Sequence, residues 1–251
     1  MLKDKKVIIF DLDGTLIDSV GMWNEVDRRL ILQLGGHPEE ETVIQSRRDE
    51  LLTRFRGEKA PYVAYCASLG ALCGSGLSAE DIHKLRYEIA DGYLKNTVKL
   101  KPGAAELLSY LKAQGRTLVL ASTTSRANVE KYMQWNENIK SKANFGALFS
   151  RIYTRDDVTE LKPSPQVHEL ILSALGASPD DCLVVEDSLA GVEAANAANI
   201  AVVAVADRNS AQDETQIRAR SAAFFSDCAA LHAFFTGGKA GASSLDKPDA
   251  K

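Results

Sequence analysis

The stretch Val7–Asp18, VIIFDLDGTLID, constrains this chain more than any other. Four consecutive apolar residues, Val7, Ile8, Ile9 and Phe10, suit a strand buried on both faces, as in a parallel sheet. The run breaks abruptly into Asp11-Leu12-Asp13-Gly14-Thr15. Two carboxylates spaced i and i+2 at the carboxyl end of a buried strand stand where open α/β sheets place ligands. Gly14 permits a sharp turn there, because it tolerates positive φ.

Further along, apolar runs alternate with helical periodicity. Strands are expected at Leu118–Ala121, Phe149–Tyr153, Cys182–Val185 and Ala201–Val205, with a weak sixth at Ala222–Phe225. Helices are expected at Ala104–Gln114, Arg126–Trp135, Pro165–Leu175 and Ala190–Ala198, and Leu231–Phe235 closes the fold. Trp135–Phe145 is polar and irregular, either a loop or a broken helix. Strands alternating with helices imply βαβ crossovers and a parallel sheet. The fold class is therefore α/β, with a Rossmann-like parallel core.

Between Asp18 and Thr97 nothing has strand character. Met22, Val26, Leu30 and Leu34 recur at helical spacing, and Gly35-Gly36 and Pro38 end that helix. More helices fit Pro38–Phe55, Ala60–Leu72 and Ser78–Lys95, the last with Ser78 as its N-cap ahead of Glu80 and Asp81. The expected organisation is a core of residues 1–17 and 100–236, an inserted small helical domain at 18–99, and a disordered tail at 237–251.

Bulk properties exclude several functions. A net charge of −4 offers no basic surface to nucleic acid or an anionic membrane. No apolar segment is long enough to span a bilayer, and MLKDKK leads straight into a core strand rather than a signal peptide. Cys66, Cys73, Cys182 and Cys228 lack metal-ligand spacing, which suits free thiols in a reducing cytoplasmic setting. The four histidines are scattered and form no site.

Three of the expected strands end in polar residues: Asp11 and Asp13, then Ser122-Thr123-Thr124, then Glu186-Asp187-Ser188. Lys162 precedes Pro163 in an intervening loop. A parallel sheet gathers its strand ends on one edge, so these groups converge. Alone, Ser122 suits a turn, Lys162 a solvated cation and Glu186-Asp187 a helix cap; jointly, on strand ends, they suit a site. The set fits phosphoryl transfer, in which a carboxylate must approach a phosphate of like charge. Two unit charges about 4 Å apart repel by about 4 kcal/mol at an effective dielectric near 20, so cations are needed. A hard divalent ion on oxygen ligands fits that need.

The pattern hhhhDxDGT, with LKPSP around Lys162 and VVEDSLAGVEAA around Asp187, resembles the haloacid dehalogenase superfamily over nearly the whole chain. The resemblance implies Asp11 as a nucleophile forming an aspartyl-phosphate and Asp13 as general acid/base. It implies Ser122, Thr123 and Lys162 as phosphate-binding groups. It implies Mg²⁺ held by Asp11, the Asp13 carbonyl and Asp187, with Glu186 as ligand or support. The insert resembles the cap of the β-phosphoglucomutase-like and phosphoglycolate-phosphatase-like branch, with hinges near Leu16–Val20 and Asn96–Pro102.

Within that insert, SRRDEL resembles a segment whose arginine grips a distal phosphate, so Arg47 either does so or lies on a solvated helix face. Trp23 stands where the mutases carry a cap histidine; it either lines the pocket or packs against the hinge. Asp27, one turn on, is a further pocket candidate. The expected activity is Mg²⁺-dependent hydrolysis of a small phosphorylated metabolite of sugar or polyol type, by a monomer or weak homo-oligomer. A phosphoglucomutase-type phosphotransferase and a non-catalytic phosphate-binding protein are the alternatives. A dehalogenase would not need Asp13.

Overall fold

The computed structural model describes residues 2–55 and 57–238. The chain opens with β1 (Val7–Phe10) and β2 (Ile17–Asp18). Four helices follow: α1 (Val20–Gln33), α2 (Glu41–Arg54), α3 (Pro61–Cys73) and α4 (Ala79–Asn96). The alternating part runs β3 (Lys99–Leu100), α5 (Ala104–Ala113), β4 (Thr117–Ala121), α6 (Arg126–Trp135), α7 (Glu137–Lys142), α8 (Phe145–Leu148) and β5 (Arg151–Tyr153). It continues with α9 (Gln166–Leu175), β6 (Cys182–Glu186), α10 (Leu189–Ala197), β7 (Ala201–Val205), α11 (Glu214–Arg220), β8 (Ala223–Phe225) and α12 (Cys228–Thr236).

Six strands form one sheet in the order β5-β4-β1-β6-β7-β8, and every neighbouring pair is parallel. The α/β class with a parallel core sheet and an added helical part therefore holds. All four residues of β1 and all five of β6 are buried. Strand alternation explains why no polar residue interrupts them. Val7 and Ile9 join Val119, Val184, Val202 and Ile171 in one core layer, while Ile8 and Phe10 on the opposite face are just as inaccessible.

The connections also fix where a ligand can bind. From β1 the chain moves outward to β4 and β5, then returns to β6 on the other side of β1 and proceeds to β7 and β8. Adjacent strands β1 and β6 thus lead in opposite directions. Such a switch point opens a crevice at the carboxyl ends of its strands. The register pairs Phe10 with Val185, so Asp11 and Glu186 leave the sheet side by side.

The described residues fall into two compact units, one containing residues up to Asp18 and those from Lys99 onward, the other Ser19–Val98. In the second, Leu30, Ile31, Ile44, Tyr65, Leu69 and Ile82 build a separate apolar core. Ser78 caps α4 as expected, accepting a hydrogen bond from the Asp81 N–H at 3.1 Å.

Two features were not anticipated, a strand ribbon and helix α11, and the open alternative at Trp135–Phe145 is decided for the broken helix. An antiparallel ribbon of β2 and β3, two residues each, stands where the chain leaves and re-enters the sheet unit. The Trp135–Phe145 region resolves into α7 and the start of α8, each N-capped by an asparagine, Asn136 and Asn144. Helix α11 was missed; seven residues give too short a window for periodicity to register. The expected tail falls almost wholly outside the described residues. Its first residue, Gly237, adopts φ 80° and closes α12. All four cysteines are free, and no described helix is long and apolar enough to cross a membrane.

Candidate active site

Asp11 continues β1 past its last strand residue, its N–H still bonded to the Val185 carbonyl at 3.0 Å. Glu186 ends β6, and Asp187 follows it into the turn before α10. Asp11, Glu186 and Asp187 each offer an oxygen, and the three oxygens lie within 4.8 Å of one another. All three residues are buried. Lys162, on the loop before α9, inserts its ammonium among them: 2.8 Å to Asp11 Oδ1, 2.6 Å to Glu186 Oε1 and 2.8 Å to the Ala121 carbonyl.

Glu186 is almost fully engaged. Its Oε1 accepts from Lys162, and its Oε2 accepts from the N–H groups of Asp187 and Ser188 and from the Ser188 hydroxyl. Gly191 closes over this carboxylate so tightly that a Cβ there would collide with it. Asp187 is clamped from two sides: Thr15 Oγ1 donates to Oδ1 at 2.7 Å and Ser210 Oγ to Oδ2 at 3.2 Å. A Cβ on Gly14, which has φ 90°, would run into the same carboxylate. Asp13 points elsewhere. Its Oδ2 accepts from Ser122 Oγ at 3.2 Å and Thr124 Oγ1 at 2.7 Å. Thr123 is half-buried at the same strand end.

The electrostatics follow from crowding. Burial, then repulsion from Glu186, pushes the Asp11 carboxyl well above the usual carboxylate range, although Lys162 opposes the shift. Asp187 is pushed up to about 8 by burial, Glu186 and Asp207, against Thr15 and Lys101. Burial disfavours the Lys162 cation, but Asp11 and Glu186 outweigh it and hold its pKa above the ordinary lysine value. Three carboxylates thus crowd together, and the Lys162 ammonium pairs with two of them, Asp11 and Glu186. The donor set is oxygen only, which suits a hard divalent cation and not a thiophilic one. A buried Asp/Glu cluster able to hold a divalent metal is in place.

Of the residues singled out in the sequence, Asp11, Lys162, Glu186 and Asp187 converge directly. Asp13 and Ser122 meet each other, and the Asp13 carboxylate is not part of the acidic cluster. Trp23, Asp27 and Arg47 belong to the helical unit and have partners there. Trp23 packs edge-to-face on Tyr87, ring centroids 5.9 Å apart, with the Arg86 guanidinium 4.6 Å from its own centroid. Asp27 is fully buried, bonded by Arg86 Nε at 2.6 Å and Arg48 Nη1 at 3.1 Å. Arg47 pairs with Glu39. Sequence reasoning missed Thr15, Thr124 and Ser210. Thr15 and Thr124 sat inside stretches already noted; Ser210 had no local signal.

A family model described as haloacid dehalogenase-like hydrolase matches residues 8–205. The chain belongs to that family. As a haloacid dehalogenase-like protein it is a phosphoric monoester hydrolase working through an aspartyl-phosphate. Protein CbbY of Rhodobacter capsulatus is 33% identical over 203 residues, 79% of this chain and 84% of that one. A phosphorylated carbohydrates phosphatase of Thermotoga maritima is 27% identical over 199 residues, 78% and 82% of the two chains. The crystal structure of CbbY from Rhodobacter sphaeroides in complex with xylulose-(1,5)bisphosphate superposes with a TM-score of 0.68 at 26% identity, covering 90% of this chain and 95% of that one.

Proposed function

We propose that this haloacid dehalogenase-like hydrolase is a Mg²⁺-dependent phosphatase of a small sugar or polyol phosphate, with Asp11 as nucleophile and Asp13 as general acid/base. The observation that carries the reading is Asp11 at the β1/β6 switch point, 2.8 Å from the Lys162 ammonium and beside Asp187. The names of two relatives, a phosphorylated carbohydrates phosphatase and a CbbY bound to a sugar bisphosphate, support the substrate class.

A carboxylate oxygen of Asp11 attacks phosphorus, and the bond to the leaving oxygen breaks. Asp13, held by the Ser122 and Thr124 hydroxyls on one oxygen, delivers its proton to that leaving oxygen from the other. It then takes a proton from water, which attacks the phospho-Asp11 and releases inorganic phosphate. Lys162 faces the phosphoryl oxygens, and the Ser122 hydroxyl turns to one of them when substrate binds. Asp11, Asp187 and the Asp13 carbonyl would hold Mg²⁺, and Glu186, whose oxygens accept from Lys162, Asp187 and Ser188, fixes Lys162. When bound, the cation neutralises charge between carboxylates and phosphate.

The test is phosphate release from a panel of sugar and polyol phosphates, with and without Mg²⁺, for the native enzyme and Asp11→Asn. The variant is expected to fold normally and to lose turnover by a factor on the order of 10³ or more. Retained turnover would remove Asp11 from its role. Isomerisation of a sugar phosphate without phosphate release would replace hydrolysis by a mutase reaction.

A further inference from the structure

A largely enclosed ion pair, Lys101 with Asp207, takes no part in the reaction just described. Lys101 stands immediately after β3 and Asp207 two residues past β7. Their charged atoms are 2.7 Å apart, and the side chains are 15% and 3% exposed. The ammonium has three protons and three acceptors: Asp207 Oδ2, the Ala206 carbonyl at 3.2 Å and the Gly14 carbonyl. The other Asp207 oxygen accepts from the Asn209 backbone and side-chain N–H groups, each at 2.8 Å.

These contacts bind together the two segments that clamp Asp187. Thr15, which donates to Asp187 Oδ1, follows Gly14 directly. Ser210, which donates to Oδ2, closes the turn that Asp207 and Asn209 shape. Gly14 itself packs against the Asp187 carboxylate with no room for a Cβ. One ammonium therefore bridges the backbone next to Thr15 and the turn that carries Ser210. The pair is also electrically matched at this corner, since Asp207 opposes a charge on Asp187 and Lys101 favours it.

We propose that Lys101 and Asp207 are a positioning pair that presets Asp187 for the divalent cation by holding the Thr15 and Ser210 hydroxyls on its two oxygens. The proposal rests on the metal reading given above. Partners behind a ligand commonly govern metal affinity by one to two orders of magnitude.

Calorimetric titration of Mg²⁺ into the metal-free protein tests it. Lys101→Met is expected to weaken the Mg²⁺ Kd about tenfold or more. Ser210→Ala, which deletes one hydroxyl on a charged partner, is expected to weaken it about fivefold. At saturating Mg²⁺ the variants should recover kcat with KM unchanged, a rescue that a merely misfolded protein would not show. Kd values within about twofold of the native protein in both variants overturn the proposal. A shift in Lys101→Met with none in Ser210→Ala overturns it too, because the hydroxyl clamp would not be the route. If Lys101→Met does not fold, Ser210→Ala decides alone. A native protein that binds no Mg²⁺ sinks the metal reading itself, which separates the two failures.

Discussion

His168, at the start of α9, is fully buried and neither ring nitrogen finds a protein partner. Burial, helped by the nearby Lys162 charge, lowers its pKa to about 3. The folded protein therefore keeps this imidazole neutral, while the unfolded chain protonates it below its ordinary value of 6.5. Between those limits the unfolded state binds the extra proton, so stability falls as pH drops from about 6.5 toward 3. His168→Leu keeps the volume and removes the titration. It should gain about 2 kcal/mol more stability at pH 5 than at pH 7.5 in urea unfolding. An equal effect at both pH values would show that the native imidazole is already charged. Burial without a hydrogen-bond partner is something only packing reveals; in the sequence His168 is one of four scattered histidines.

At the scale of an element, α2 shows how adjacent residues acquire opposite fates. Ile44 and Arg48, four apart, are its two buried positions. Arg48 donates to Asp27 and to the Asn24 side-chain oxygen Oδ1, and Arg86 from α4 closes on the same aspartate. Burial alone would raise the Asp27 pKa, but Arg86 and Arg48 outweigh it and hold it below the usual carboxylate range. Asp27→Asn leaves two guanidinium groups without their counter-charge and should cost about 3 kcal/mol or more by chemical denaturation. Arg47→Ala, one residue away in a partly exposed pair with Glu39, should cost under about 1 kcal/mol. Comparable costs for the two would mean that the buried network contributes no more than a surface bridge. The SRRDEL string does not say which arginine turns inward, because α2 carries no apolar stripe to orient it.

For the whole molecule, the raised pKa values of the acidic cluster couple stability to pH, and the proposed cation to both. Asp187, at about 8, and Asp11, also raised, bind protons in the folded state that they release when unfolded. The folded state thus holds more protons between the ordinary carboxylate pKa and about 8, and the metal-free protein loses stability from this source as pH rises through that window. A cation that takes up the ionised form removes the loss. The rise in Tm on replacing EDTA by Mg²⁺ should therefore be larger at pH 8 than at pH 5. At a hundredfold excess over Kd, binding contributes about 2.7 kcal/mol. The Mg²⁺-induced increment isolates this effect from the opposite trend of His168. An increment that is flat or falls with pH would contradict the raised pKa values.

The sheet, most of the helices, the three strand ends where polar residues follow apolar runs and the lysine loop between them were legible in the amino-acid order. These are local and periodic properties: VIIF and CLVV are short unbroken apolar runs that end in turn-forming residues, which suits interior strands, and Ser78 caps the helix it precedes. Parallel order then brought Asp11 and Asp187 together across 175 intervening residues. Tertiary structure alone decided which atoms each carboxylate touches. Thr15 and Ser210 on Asp187, Thr124 on Asp13, Lys101 between Gly14 and Asp207, and Arg48 rather than Arg47 on Asp27 are contacts between distant segments. Such contacts leave no periodic trace, because a hydrogen bond constrains where two side chains end and says nothing about what lies between them along the chain.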